Sequence, residues 1–153
     1  MRLSARSDYG VRAIIDLAER AGQGPVPSEA IARRQGISDT FLDQVLTLLR
    51  RAGLVNSTRG PRGGHVLALP PERVTVRAII EAVEGDAFLP PVPDGRGRGS
   101  PPVDGALVPP TVRVQQEVWE EVRTAVHRIL DATTVADLLE RQRELSAPSR
   151  YYI

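Results

Sequence analysis

Between Gln44 and Pro71 the chain carries Arg50, Arg51, Arg59 and Arg62 and not one carboxylate. Four guanidinium groups without a compensating acid make a surface that attracts phosphate, whose oxygens match the two-pronged guanidinium fork. Ser38, Thr40, Asp43 and Gln44, just before them or at their edge, supply short hydrogen-bonding groups. Glutamine can bond adenine twice and aspartate can accept from the cytosine amino group, so this set suits base edges in a major groove. Near the N-terminus Ser7 and Tyr9 offer two more hydroxyls as phosphate donors, at the start of a helical pattern where the dipole favours an anion. Each reading has a plainer alternative: a solvated helix face for the polar set, and core packing for Tyr9.

Such groups need rigid supports, and the apolar pattern supplies them. Val11, Ile14, Ile15 and Ala18 recur at helical steps, which predicts a helix from Ser7 to about Ala21, stopped by Gly22 and Gly24. A short second helix is expected from Ser28 to about Gln35, with Ala30 and Ile31 inward and Gly36 breaking it. Ser38 then caps a third, whose Phe41, Leu42, Val45, Leu48, Leu49 and Ala52 form a stripe opposite the polar set. Helix, tight glycine turn, helix is the order of a helix-turn-helix. Past Gly53, Leu54-Val55 and Val66 to Leu69 read as strands, cornered by Gly60, Pro61, Gly63 and Gly64. This hairpin is a wing, with Arg59 placed for a minor groove and Arg62 at the tip, like Arg51, placed for phosphates. His65, also on the wing, is expected to pack or to touch phosphate.

Val76, Ile79, Ile80 and Val83 mark a further helix ending at Gly85. From Leu89 to Pro110 come seven prolines and four glycines, too many for regular structure. Helical patterning returns from Thr111 to Leu130 with Val118, Trp119, Val122, Val126, Ile129 and Leu130. That stripe has no evident partner within the chain, and a twofold mate would cover it. Thr134 and Asp137 have capping-box spacing and open a last helix to about Leu145. The expected organisation is a DNA-binding domain over 1–86, a linker over 87–110, dimerisation helices over 111–145 and a tail over 146–153. The fold class is mainly α with a small β wing: a winged helix-turn-helix plus a long dimerisation helix.

Composition removes several alternatives. All 20 basic residues are arginine, and the net charge of +1 hides an asymmetry, with 12 arginines against 10 acids up to Asp86 and 5 against 7 from Thr111 to Leu145. With no cysteine and only His65 and His127, thiolate nucleophiles, disulfides and thiolate-held zinc or iron-sulfur sites are excluded, and no cofactor is expected. No nucleophile motif, phosphate loop or catalytic carboxylate pair appears, so an enzyme is not expected. No apolar run is long enough for a bilayer span, which predicts a cytoplasmic protein without membrane contact. The tail puts Tyr151, Tyr152 and Ile153 at the chain end, where exposed apolar groups call for a cover. Either the dimer helices bury them, or a partner grips the terminal carboxylate and the Ile153 side chain.

The series MRLSARSDYGVRAIIDLA, PVPSEAIARRQGIS, LRRAGLVNSTRGPRGGHVLA and VWEEVRTAVHRILDATTVADLL resembles the Rrf2 family of bacterial winged-helix regulators along essentially the whole chain. The resemblance implies a homodimer on a palindromic operator in double-stranded DNA. Many members hold an iron-sulfur cluster through three cysteines before the long helix, where PPVPDGRGRGSPPVDGAL has none. The chain is more similar to a cluster-free branch of repressors of cysteine metabolism, through Leu130-Asp131, Thr133-Thr134 and Tyr152-Ile153. That likeness implies cysteine synthase as a partner of the tail. A winged-helix adaptor that binds a metabolic enzyme without reading DNA is the alternative.

Overall fold

The computed structural model describes residues 4–85 and 109–147. The first helix, α1 (Ala5–Glu19), starts at Ser4, whose hydroxyl accepts from the Arg6 amide. It is followed by α2 (Ser28–Gln35) and α3 (Asp39–Arg51), with Gly36 between them in the left-handed conformation that closes α2 at φ 64°. The wing consists of β1 (Val55–Thr58) and β2 (Gly64–Leu67), antiparallel with Val55 opposite Leu67 and Thr58 opposite Gly64. A 3₁₀ turn, Pro71–Arg73, leads to α4 (Val76–Glu84); α5 (Pro110–Ala132) and α6 (Val135–Ser146) complete the described chain. The mainly helical fold with a two-stranded wing is the expected class.

One core joins α1, α2, α3 and α4. Ala13, Ile14 and Leu17 of α1 meet Ile31 of α2, Leu42, Val45 and Leu49 of α3 and Ile79 of α4, all fully or nearly fully buried. Leu46, outside the stripe read from sequence, is buried as well, while Ala52 is exposed. The hairpin pairs closer to its tip than the apolar runs suggest. Leu54 and Ala68 flank it through a backbone bond rather than inside strands, with the Ala68 amide donating to the Leu54 carbonyl at 3.0 Å.

The wing is stitched to the rest of the domain by Val26. The Val26 amide donates to the His65 carbonyl at 2.9 Å and the His65 amide to the Val26 carbonyl at 2.8 Å. A Cβ on Gly64 would lie 2.5 Å from the Val26 carbonyl carbon, so only glycine allows this approach.

Of the two helices expected to serve dimerisation over 111–145, α5 lies against α4 and α6 against α1. α6 packs on α1 and sends Val135 and Leu139 into the first core. It is held there by a short antiparallel bridge between Thr75 and Thr134, with the Val76 amide bonded to the Thr133 carbonyl at 2.9 Å and the Val135 amide to the Val74 carbonyl at 2.8 Å. The Thr134–Asp137 capping box forms as its spacing predicts. α5, 23 residues long and therefore about 34 Å, has no fully buried residue. Its Val118, Trp119, Val122 and Ile129 are 45–61% exposed. The linker over 87–110 falls largely, and the tail residues Tyr151, Tyr152 and Ile153 entirely, outside the described residues.

Candidate nucleic-acid interface

The polar face of α3 is open. Ser38, Thr40, Asp43 and Gln44 are all exposed. Ser38 occupies the N-cap position but its hydroxyl makes no cap bond, so it remains available to another acceptor or donor. Asp43 has its carbonyl taken by the Thr47 hydroxyl at 2.8 Å, leaving its carboxylate outward. Arg50 and Arg51 at the end of α3, and Arg59 and Arg62 on the wing, are exposed and make no ion pair among the described residues. Such uncompensated cations are what a polyanion meets.

Arg6 belongs to this face and went unnoticed in the sequence. From the first turn of α1 it lines, with Asp43, Gln44, Thr47, Leu48 and Arg51, an open cleft of about 420 Å³ alongside α3. No periodicity marks an isolated arginine at a helix start; only the crossing of α1 over α3 brings it here.

The two hydroxyls of α1 fare differently. Ser7 is 2% exposed and donates to Glu84 Oε1 at 2.8 Å, so it presents nothing to a phosphate. The expected anion at the α1 N-terminus is an internal one, the Glu84 carboxylate. Burial pushes that carboxyl up, but hydrogen bonds from Ser4 and Ser7 and the Arg6 charge outweigh this and hold it below its ordinary value. Tyr9 is half-buried, its ring edge-on to Phe41 at 5.3 Å and beneath the Arg12 guanidinium at 5.5 Å. Core packing accounts for the ring; the hydroxyl has no hydrogen-bond partner among the described residues.

His65 is half-buried on β2, its Nδ1 2.8 Å from the Ser57 hydroxyl. Burial pushes its pKa down; Asp43 of α3 opposes the shift and Arg50 of α3 adds to it.

A helix-turn-helix whose reading helix is flanked by an arginine-bearing wing defines a winged-helix transcriptional regulator. Comparison with known proteins narrows this. The Rrf2 profile, described as "Iron-dependent Transcriptional regulator", matches residues 3–141, and the chain belongs to the Rrf2 family. It is 35% identical over 138 residues to the HTH-type transcriptional regulator CymR of Bacillus subtilis (strain 168), spanning 90% of this chain and 89% of that protein. It is 34% identical over 139 residues to the HTH-type transcriptional regulator IscR of Aliivibrio salmonicida (strain LFI1238), spanning 91% and 77%. The structure of CymR, described as the global cysteine regulator of B. subtilis, matches with a TM-score of 0.72 at 33% identity over 92% of this chain and 98% of that one. That of T. potens IscR matches with a TM-score of 0.75 at 36% identity over 99% and 95%.

The family description names iron, and these residues do not fit a thiolate-held cluster. The chain has no cysteine. Among the described residues no three His, Asp or Glu side chains gather as a metal-binding group. No helix among them is long and apolar enough to cross a membrane.

Proposed function

We propose that this protein is a homodimeric, sequence-specific DNA-binding repressor that works without an iron-sulfur cluster. One observation carries the reading: the exposed polar side of α3 shares a cleft with Arg6 and Arg51, and Arg50, Arg51, Arg59 and Arg62 are exposed and make no ion pair among the described residues. Ser38, Thr40, Asp43 and Gln44 then meet base edges in the major groove, Arg59 enters the neighbouring minor groove, and Arg6, Arg51, Arg62 and the Tyr9 hydroxyl hold phosphates. The half-exposed apolar stripe of α5 supports two copies packed along this helix, since an isolated stripe of that size is costly in water. Likeness to CymR supports cysteine metabolism as the regulated process. The partner proposed for Tyr151, Tyr152 and Ile153 is cysteine synthase, gripping the terminal carboxylate and the Ile153 side chain.

Selection of binding sites from random duplexes, followed by gel-shift titration at several salt concentrations, tests the proposal. A palindromic consensus bound with steep salt dependence is expected. Sequence-blind binding that ignores salt would defeat it and favour an adaptor that docks on an enzyme.

A further inference from the structure

α1 and α4 pack closely at Gly10, where an added Cβ would sit 3.3 Å from Val83 Cγ1. Next to Val83, at the last residue of α4, Glu84 reaches back to the first turn of α1. A single carboxylate oxygen, Oε1, accepts from the hydroxyls of both Ser4 and Ser7. Ser4 Oγ in turn accepts from the Arg6 amide at 3.0 Å. Amide, hydroxyl and carboxylate thus form a relay from Arg6 to the end of α4. Its inner member, Ser7, is nearly inaccessible, and its outer member, Arg6, lines the cleft beside Gln44 and Arg51.

We propose that Glu84 is a positioning residue for DNA binding: by holding Ser4 and Ser7 it fixes the first turn of α1 and sets Arg6 against α3. The proposal rests on the DNA-binding reading above. It also makes α4 a route of control, because Glu84 ends that helix immediately before the segment that separates α4 from α5. A shift of the α4 end would reach the Arg6 backbone through two hydrogen bonds, from Glu84 to Ser4 and from Ser4 to the Arg6 amide.

The experiment is a salt titration of binding to the selected operator duplex by wild type, Arg6→Ala, Glu84→Ala, Glu84→Gln and the Arg6→Ala/Glu84→Ala double variant, with thermal melts of each. Removing a carboxylate near a polyanion raises affinity by charge alone, so a loss separates positioning from charge. Arg6→Ala and Glu84→Ala are each expected to weaken binding about tenfold and to lower the salt slope by about one. The double variant should bind no more weakly than Arg6→Ala. Glu84→Gln should restore most of the affinity, because its amide oxygen still accepts from both serines. Additive losses, or a folded Glu84→Ala with the wild-type salt slope, overturn the proposal. Should Glu84→Ala not fold, Ser4→Ala carries the same test, and an unchanged slope there is equally fatal. A wild type that binds no duplex fails the DNA reading and takes this proposal with it; a wild type that binds while these variants leave the slope unmoved fails Glu84 alone.

Discussion

Arg34 at the end of α2 clasps Asp16 on α1 at two points, Nη2 to Oδ1 at 2.6 Å and Nε to Oδ2 at 2.9 Å. The Asp16 side chain is wholly shielded from solvent, and Gln35 Nε2 adds a third bond at 3.0 Å. Arg12, one turn earlier on α1, donates to the Gln35 carbonyl. The C-terminal turn of α2 is therefore fastened to α1 immediately before Gly36, and this fixes the angle at which α3 leaves.

Replacing Asp16 by alanine should cost about 3 kcal/mol, near the low end for a broken shielded pair because Arg34 can still reach water. Urea unfolding measures the loss. A change below about 0.5 kcal/mol would show that the clasp is ornamental.

The same pair predicts an acid limb of stability. Burial by itself raises the Asp16 carboxyl, but the bonds from Arg34 and Gln35 and the charges of Arg20 and Arg34 outweigh it and leave the group below its ordinary value. As pH falls, the unfolded chain takes up this proton first. The stabilisation is thus complete above the ordinary carboxylate range and drains away as pH drops through it towards the folded value. Unfolding free energies measured from pH 7 to pH 3 should fall more steeply for wild type than for Asp16→Asn; parallel curves would refute the assignment.

On the wing, Arg59→Ala should weaken specific binding by about 1–3 kcal/mol, and Arg62→Ala should lower the salt slope by about one. Gel-shift titrations on the selected duplex distinguish the two roles. Equal affinities of wild type and Arg59→Ala would remove Arg59 from the interface.

Gly64→Ala is expected to cost about 2–4 kcal/mol or to detach β2 from Val26, since φ is +153° and the new methyl meets backbone at 2.5 Å. Amide exchange at His65 should accelerate along with a lowered melting temperature. Full protection of that amide in the variant would mean the approach is looser than described.

Trp119→Glu places a charge in the exposed stripe of α5 without disturbing the core. Sedimentation should show dimers for wild type and monomers for the variant at the same concentration, with a lower melting temperature but a native helical circular dichroism spectrum. Monomeric wild type at micromolar concentration would end the homodimer proposal.

Deleting Ile153 should abolish calorimetric binding to cysteine synthase while leaving operator affinity intact. An unaltered heat of binding would take the tail out of any partner site.

The reading helix was legible because its stripe of Leu42, Val45 and Leu49 forces Thr40, Asp43 and Gln44 outward, whatever the rest of the chain does. The wing was legible because Gly60 and Gly64 corner it between apolar runs. Ser7 was not. A serine at a helix start reads alike whether it faces water or a carboxylate 77 residues later, and only the α1–α4 crossing decides. Asp16 was hidden for the same reason, as an acid on an apolar face carries no local mark of its Arg34 partner, 18 residues away. The return of α6 to α1 depends on the Thr75–Thr134 bridge, a contact between loops that periodicity does not encode.

The two-way bond between Val26 and His65 splices the hairpin to the strand-like approach to α2, so the finger is yoked to the helix-turn-helix like one jaw of a calliper to the other. A duplex must therefore offer the right distance between adjacent grooves, and the bendability of bases that no side chain touches becomes part of what is selected.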